Sequence, residues 1–170
     1  MKGVTIKMCK YFMQVIKQNQ LPYLLNDEKE IFDRVYRLIM KNKLYNDVGN
    51  TIEKEANRIV NEECKPKWEA LGKEMEELNK QIEELNKAEE KDNEKIEELS
   101  KQISEKSSEI EKIGTEANAK LNEFKDNLID TEYKTTYCFD LHNNEYDLVN
   151  RVIWWSVYDW QTEGNIVAPK

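Results

Sequence analysis

From Trp68 to Phe124, apolar side chains return every three and four positions. Trp68, Met75, Ile82, Ile96, Ile103, Ile110, Ala117 and Phe124 are seven-fold related and occupy position a of a heptad. Leu71, Leu78, Leu85, Leu99 and Ile113 occupy position d. The other positions are mostly Glu, Lys and Gln. Heptads sustained over this length predict a coiled-coil helix, with one seam buried and the remaining surface in water.

One heptad breaks the pattern. Around Ala88 to Asn93 the seam positions are Glu89 and Asp92, and burying two unpaired carboxylates costs several kcal/mol. Glu94, Glu97 and Glu98 follow, which suits the first turns of a new helix. A chain folded back at residues 88–93 pairs Leu85 with Ile96, Ile82 with Leu99, Leu78 with Ile103, Leu71 with Ile110 and Trp68 with Ile113. Met75 then faces Lys106, whose stem can lie along apolar surface. An unbroken helix would instead run roughly 85 Å and leave two apolar ends of about 60 and 50 residues, near the lower limit for folding alone. A hairpin brings both ends together as one head of ordinary domain size. The rival is a parallel oligomer of continuous helices, which Ile at a with Leu at d favours. No Gly or Pro marks the turn.

The flanks are less regular. Val4, Met8, Tyr11, Phe12, Val15 and Ile16 fit a helical face, whereas Val4, Ile6 and Met8 also fit a short strand; length favours the helix. Asn19 to Pro22 reads as a turn. Asp27 with Glu30 predicts a capped helix carrying Ile31, Val35, Leu38 and Ile39, ending near Asn46 to Gly49. Asn50 with Glu53 suggests a fresh start, continuing through Ile52, Ala56, Ile59 and Val60 to Pro66. Pro66 either kinks that helix or sits in the first turn of the next. Tyr133, Thr135, Tyr137, Phe139 and Leu141 alternate with polar residues and Cys138, predicting a strand with one aromatic face. After a turn at His142 to Glu145, the segment from Asp147 to Trp160 is dense in apolar residues. It reads as a helix from near Asn144, or a helix passing into a strand.

The expected fold is therefore mainly α: a long antiparallel coiled-coil hairpin projecting from a small α(+β) head built from both chain ends. Residues 1–63 and 125–170 form the head, and 64–124 the hairpin.

Composition sharpens this picture. Every Trp, Tyr and Phe lies outside Glu69 to Glu123, and most of the net charge of −8 sits between Leu71 and Ile113. No apolar run reaches the roughly 18–20 residues that span a bilayer, and Met1 to Lys10 lacks a signal-peptide pattern. Cys9, Cys64 and Cys138 are odd in number and widely spaced. They argue against a disulfide framework and for a reducing compartment, either the cytoplasm or, for a viral protein, a host cytoplasm or virion.

Little in the chain points to catalysis. The single histidine, His142, sits in a polar turn. Cys138 and His142 do not make a zinc set, no Gly-rich phosphate loop occurs, and acid–base chemistry needs carboxylates desolvated in a cleft, whereas these lie on a solvated helix surface. Arg37, Lys41 and Lys43 are too few for a nucleic-acid surface. The expectation is no enzyme, no cofactor, no metal and no nucleic acid.

Two features point to a protein partner or self-association. Trp154, Trp155, Tyr158 and Trp160 are of the types enriched at interface hot spots, although filling a core is the plainer use for them. Glu83, Glu84, Glu90, Glu94, Glu97 and Glu98 form an acidic surface that would steer toward a basic partner, although solubility alone accounts for it. The leading expectation is a structural or interaction protein, a coiled-coil component of a larger assembly such as a virion or secretion-type particle. The alternative is a small acidic inhibitor that occupies a basic, nucleic-acid-binding enzyme.

Overall fold

A computed structural model describes the backbone of residues 1–17 and 24–161, and side chains as far as 154. The protein is mainly helical, with two long helices and one two-stranded sheet. It divides into two compact units, residues 1–51 with 125–170, and residues 52–124. Among the described residues, no helix is long and apolar enough to cross a membrane.

The first unit opens with strand β1 (Lys2–Thr5) and helix α1 (Ile6–Lys17). The ambiguous opening segment thus holds both elements in succession. Thr5 makes the change of direction, because its hydroxyl accepts the Met8 N–H at 3.2 Å, as an N-cap does. Helix α2 (Asn26–Lys41) starts earlier than Asp27 and Glu30 suggested. The acid that returns to the chain before the helix is Glu28, whose carboxylate accepts the Leu25 N–H at 2.9 Å.

Helix α3 (Lys43–Arg58) corrects the sequence reading more sharply. It runs straight through Gly49, Asn50 and Glu53, where a helix end and a new start were expected. The break falls instead at Asn42, which is extended. Its side-chain oxygen accepts the Tyr45 N–H at 3.0 Å and so caps α3.

Strand β2 (Tyr137–Leu141) pairs antiparallel with β1, and helix α6 (Asn143–Gln161) follows. The strand is shorter than the alternation from Tyr133 predicted. A π-wound segment, Leu128–Glu132, and a turn precede it. Its aromatic face is not continuous either: Tyr137 is 67% exposed whereas Leu141 is buried. The cause is a bulge. Val4 pairs with Phe139 and Thr5 with Tyr137, leaving Cys138 as an extra residue without an opposite number. One extra residue reverses which side chains face inward.

Both flanks of the chain contribute to one core. Val4, Cys9, Phe12 and Val15 meet Phe32, Val35 and Ile39 of α2, Leu141 of β2, and Leu148, Val149 and Val152 of α6. The Phe12 and Phe32 rings pack 4.7 Å apart. Gly3 lies against the Tyr137 ring, and a Cβ there would stand 2.5 Å from the ring edge. Only glycine allows that approach.

In the second unit, α3 passes through the π-wound segment Ile59–Cys64 into helix α4 (Lys65–Lys87). Ile59 and Cys64, five apart, are both buried, which the wider winding allows. Pro66 sits in the first turn of α4. Having no N–H, it offers nothing to the carbonyl four residues back, and the winding loosens just before it.

Residues 88–92 are not helical, and helix α5 (Asn93–Asn127) begins after them. Asp92 is no seam residue. Its carboxylate accepts the Lys95 N–H at 3.1 Å and caps α5. Every a and d position named above is buried or half-buried, while nearly all other positions on these helices are exposed. Trp68 donates its indole N–H to the Ile110 carbonyl at 3.3 Å. Lys106 pairs with Glu74, and Lys120 with Glu63.

Candidate functional site

The aromatic and acidic candidates fall in different units. On α6, Leu148, Val149 and Val152 turn into the core, whereas Trp154 is 45% exposed. That segment's contribution to the core is therefore aliphatic up to Val152. The side chains of Trp155, Tyr158 and Trp160 lie outside the described residues. Glu83 and Glu84 end α4, Glu90 lies in the link, and Glu94, Glu97 and Glu98 open α5. All six are exposed. They form an open surface, with only a shallow depression at Glu94, Glu97 and Glu98.

His142 is exposed, and its backbone starts α6: its carbonyl accepts the Tyr146 N–H at 2.9 Å. Its own N–H goes to Glu145 at 3.0 Å, and Glu145 also pairs with Arg34. Glu145 is thus a buried carboxylate, 4% exposed, with both oxygens engaged in fixing a helix start. Among the described residues, no group of three or more His, Cys, Asp or Glu side chains is placed to hold a metal ion.

The structure assembles one constellation that sequence spacing could not show. Cys9 on α1 and Cys138 on β2 are 129 residues apart, yet their sulfurs lie 3.7 Å from each other. The bulge produces this approach. In an unbroken alternation Cys138 would lie on the face opposite Leu141; as the extra residue it turns toward α1. A bulge also takes the local carbonyl off the ladder, and here Asn42 supplies the replacement, donating its side-chain N–H to the Cys138 carbonyl at 2.8 Å. The same asparagine caps α3, so one side chain ties the start of α3 to the bulge.

Electrostatics separates the two thiols. The Cys9 thiol donates toward Cys138, and this contact holds the Cys138 thiol below its usual pKa, making it the more acidic of the two. The same contact, with burial, pushes the Cys9 thiol up. Tyr45 stands close by, and its phenol is pushed up by burial and then by the two cysteines. The two thiols are thus inequivalent, with Cys9 holding its proton more tightly than Cys138.

A second grouping is basic. Burial lowers the Lys125 ammonium, with further contributions from Lys17 and Lys10. Lys10 is itself paired with Asp126, and Lys7 with Asp130 at 3.0 Å. These two acids offset the charge of their own two partners among the four lysines.

No protein-family model, curated protein or solved structure matches this chain.

Proposed function

We propose that this chain is a non-enzymatic interaction protein in which α4 and α5 form an antiparallel coiled-coil hairpin, serving as a component of a larger assembly. The observation that carries the reading is the segregation along those helices: the heptad seam is shielded and nearly everything else faces water. A helical pair of this kind has little interior in which to build a cleft and much surface on which to bind. Three cross-helix contacts support the antiparallel sense. Glu63, Trp68 and Glu74 rise in number as their partners Lys120, Ile110 and Lys106 fall. The non-helical link at 88–92, followed by the Asp92 cap, speaks against one continuous parallel helix. We place the working protein in a reducing compartment such as the cytoplasm, with its three cysteines as free thiols.

The test is affinity capture of the full chain from cells of its source, alongside light scattering of the purified protein. A stoichiometric protein partner or a stable homo-oligomer is the expected result. A monomer that captures nothing at low or moderate salt would sink the proposal.

A second reading rests on one feature. Glu83, Glu84, Glu90, Glu94, Glu97 and Glu98 are all exposed around a single link, which suits an inhibitor occupying a basic, nucleic-acid-binding enzyme. It requires capture of a basic partner that is lost as salt rises and weakened by charge reversal at Glu94, Glu97 and Glu98.

A further inference from the structure

We propose that Cys9 and Cys138 are a redox pair: a hydroperoxide oxidises Cys138, and Cys9 resolves the product into an intramolecular disulfide. The argument begins with geometry. The sulfurs are 3.7 Å apart in the dithiol state, and a disulfide bond is about 2.05 Å. Closing that gap brings the sulfurs roughly 1.7 Å closer, at the residue of β2 that has no opposite number on β1. Asn42 anchors the backbone on the Cys138 side through its hydrogen bond to the Cys138 carbonyl.

The two positions differ in the way such a pair requires. Cys138 is half-buried, within reach of a small oxidant, while Cys9 is fully buried. The sulfur that meets the oxidant is the one kept nucleophilic by its neighbour's donated S–H. The remaining thiol, Cys64, is buried and belongs to the other unit.

The chemistry balances in two steps. The Cys138 thiolate attacks the terminal oxygen of the hydroperoxide. The O–O bond breaks, the alcohol leaves after taking a proton, and Cys138 becomes a sulfenic acid. Cys9 sulfur then attacks Cys138 sulfur, the S–O bond breaks, and the proton from Cys9 leaves with the hydroxide as water. In sum, two thiols and one hydroperoxide give one disulfide, one alcohol and one water. The two electrons lost by sulfur reduce the O–O bond.

The experiment uses the full, reduced chain exposed to stoichiometric hydrogen peroxide, followed by intact mass measurement and peptide mapping without reductant. The expected result is loss of two hydrogens from the monomer, a single linked peptide pair carrying Cys9 and Cys138, and reversal by dithiothreitol. Cys64→Ser keeps the reaction and Cys138→Ser abolishes it. Wild-type mapping stands on its own if a variant fails to fold. The proposal is overturned by an unchanged mass. Oxygen accumulating on Cys138 while Cys9 stays a free thiol overturns it too, as does a link that involves Cys64 or a second chain.

Discussion

Asn42 donates to the Cys138 carbonyl with one end of its amide and accepts from Tyr45 with the other. It joins a helix start to a strand irregularity 96 residues away. Removing the amide therefore removes two unrelated supports. Asn42→Ala is expected to cost about 2 kcal/mol, the sum of a cap and a hydrogen bond to a carbonyl off the ladder. Asn42→Ser keeps the cap alone and should cost roughly half of that. Urea unfolding of both variants checks the ranking; equal losses would show that the Cys138 contact contributes nothing.

Asp92 and Glu89 share the heptad's weak turn but have different roles. Asp92→Ala loses the α5 cap and should lower stability by about 1 kcal/mol. Glu89→Ala, at an exposed position in the link, should stay within about 0.5 kcal/mol of the parent. Thermal melts distinguish them. Were Asp92 a seam residue, its removal would stabilise the protein.

The seam itself is testable at Leu71 and Leu99, the best-buried positions of α4 and α5. Truncation of either to Ala should cost about 2–4 kcal/mol. Lys80→Ala, on the exposed side, should be near neutral. Denaturant midpoints of the three variants test whether the two helices lean on each other. Small losses at both leucines would mean that each helix stands without the other.

Acid should weaken the unit that holds Glu28. The Leu25 N–H first, then Arg151, hold this carboxyl below the usual carboxylate range. A depressed carboxyl lends stability above its unfolded pKa of about 4.3 and loses it as pH falls through the lower folded value. Glu28→Gln should therefore narrow the gap in urea midpoint between pH 7 and pH 3. An unchanged gap would assign acid lability to other groups, Asp130 with its Lys7 partner first among them.

The repeating part of the chain was the legible part. A period of seven carried over many turns locates the shielded positions from Trp68 to Phe124, because burial there depends on spacing alone. The polar heptad likewise marks where helix gives way to link at residues 88–92. Legibility ends where a single side chain decides. Gly49 and Asn50 carry stop and start chemistry yet sit inside α3, since Asn42 already supplies the break. Alternation is a correct signal for a strand over Tyr137 to Leu141, though not from Tyr133, and it contains no mark of the bulge that turns Cys138 toward Cys9. A pairing across 129 residues has no local trace at all.

The ladder between β1 and β2 also dictates an order of events during synthesis. Lys2 must wait for Leu141, and the faces of α1 and α2 wait for Leu148, Val149 and Val152. At 5–20 residues per second, translation leaves Phe12, Phe32 and Ile39 without their later neighbours for on the order of 10 s. Residues 52–124 form a compact unit of their own and are complete before that wait ends. The nascent chain therefore carries a fully synthesised middle while its beginning still lacks the partners of its core, with Phe12 and Phe32 left to cover each other.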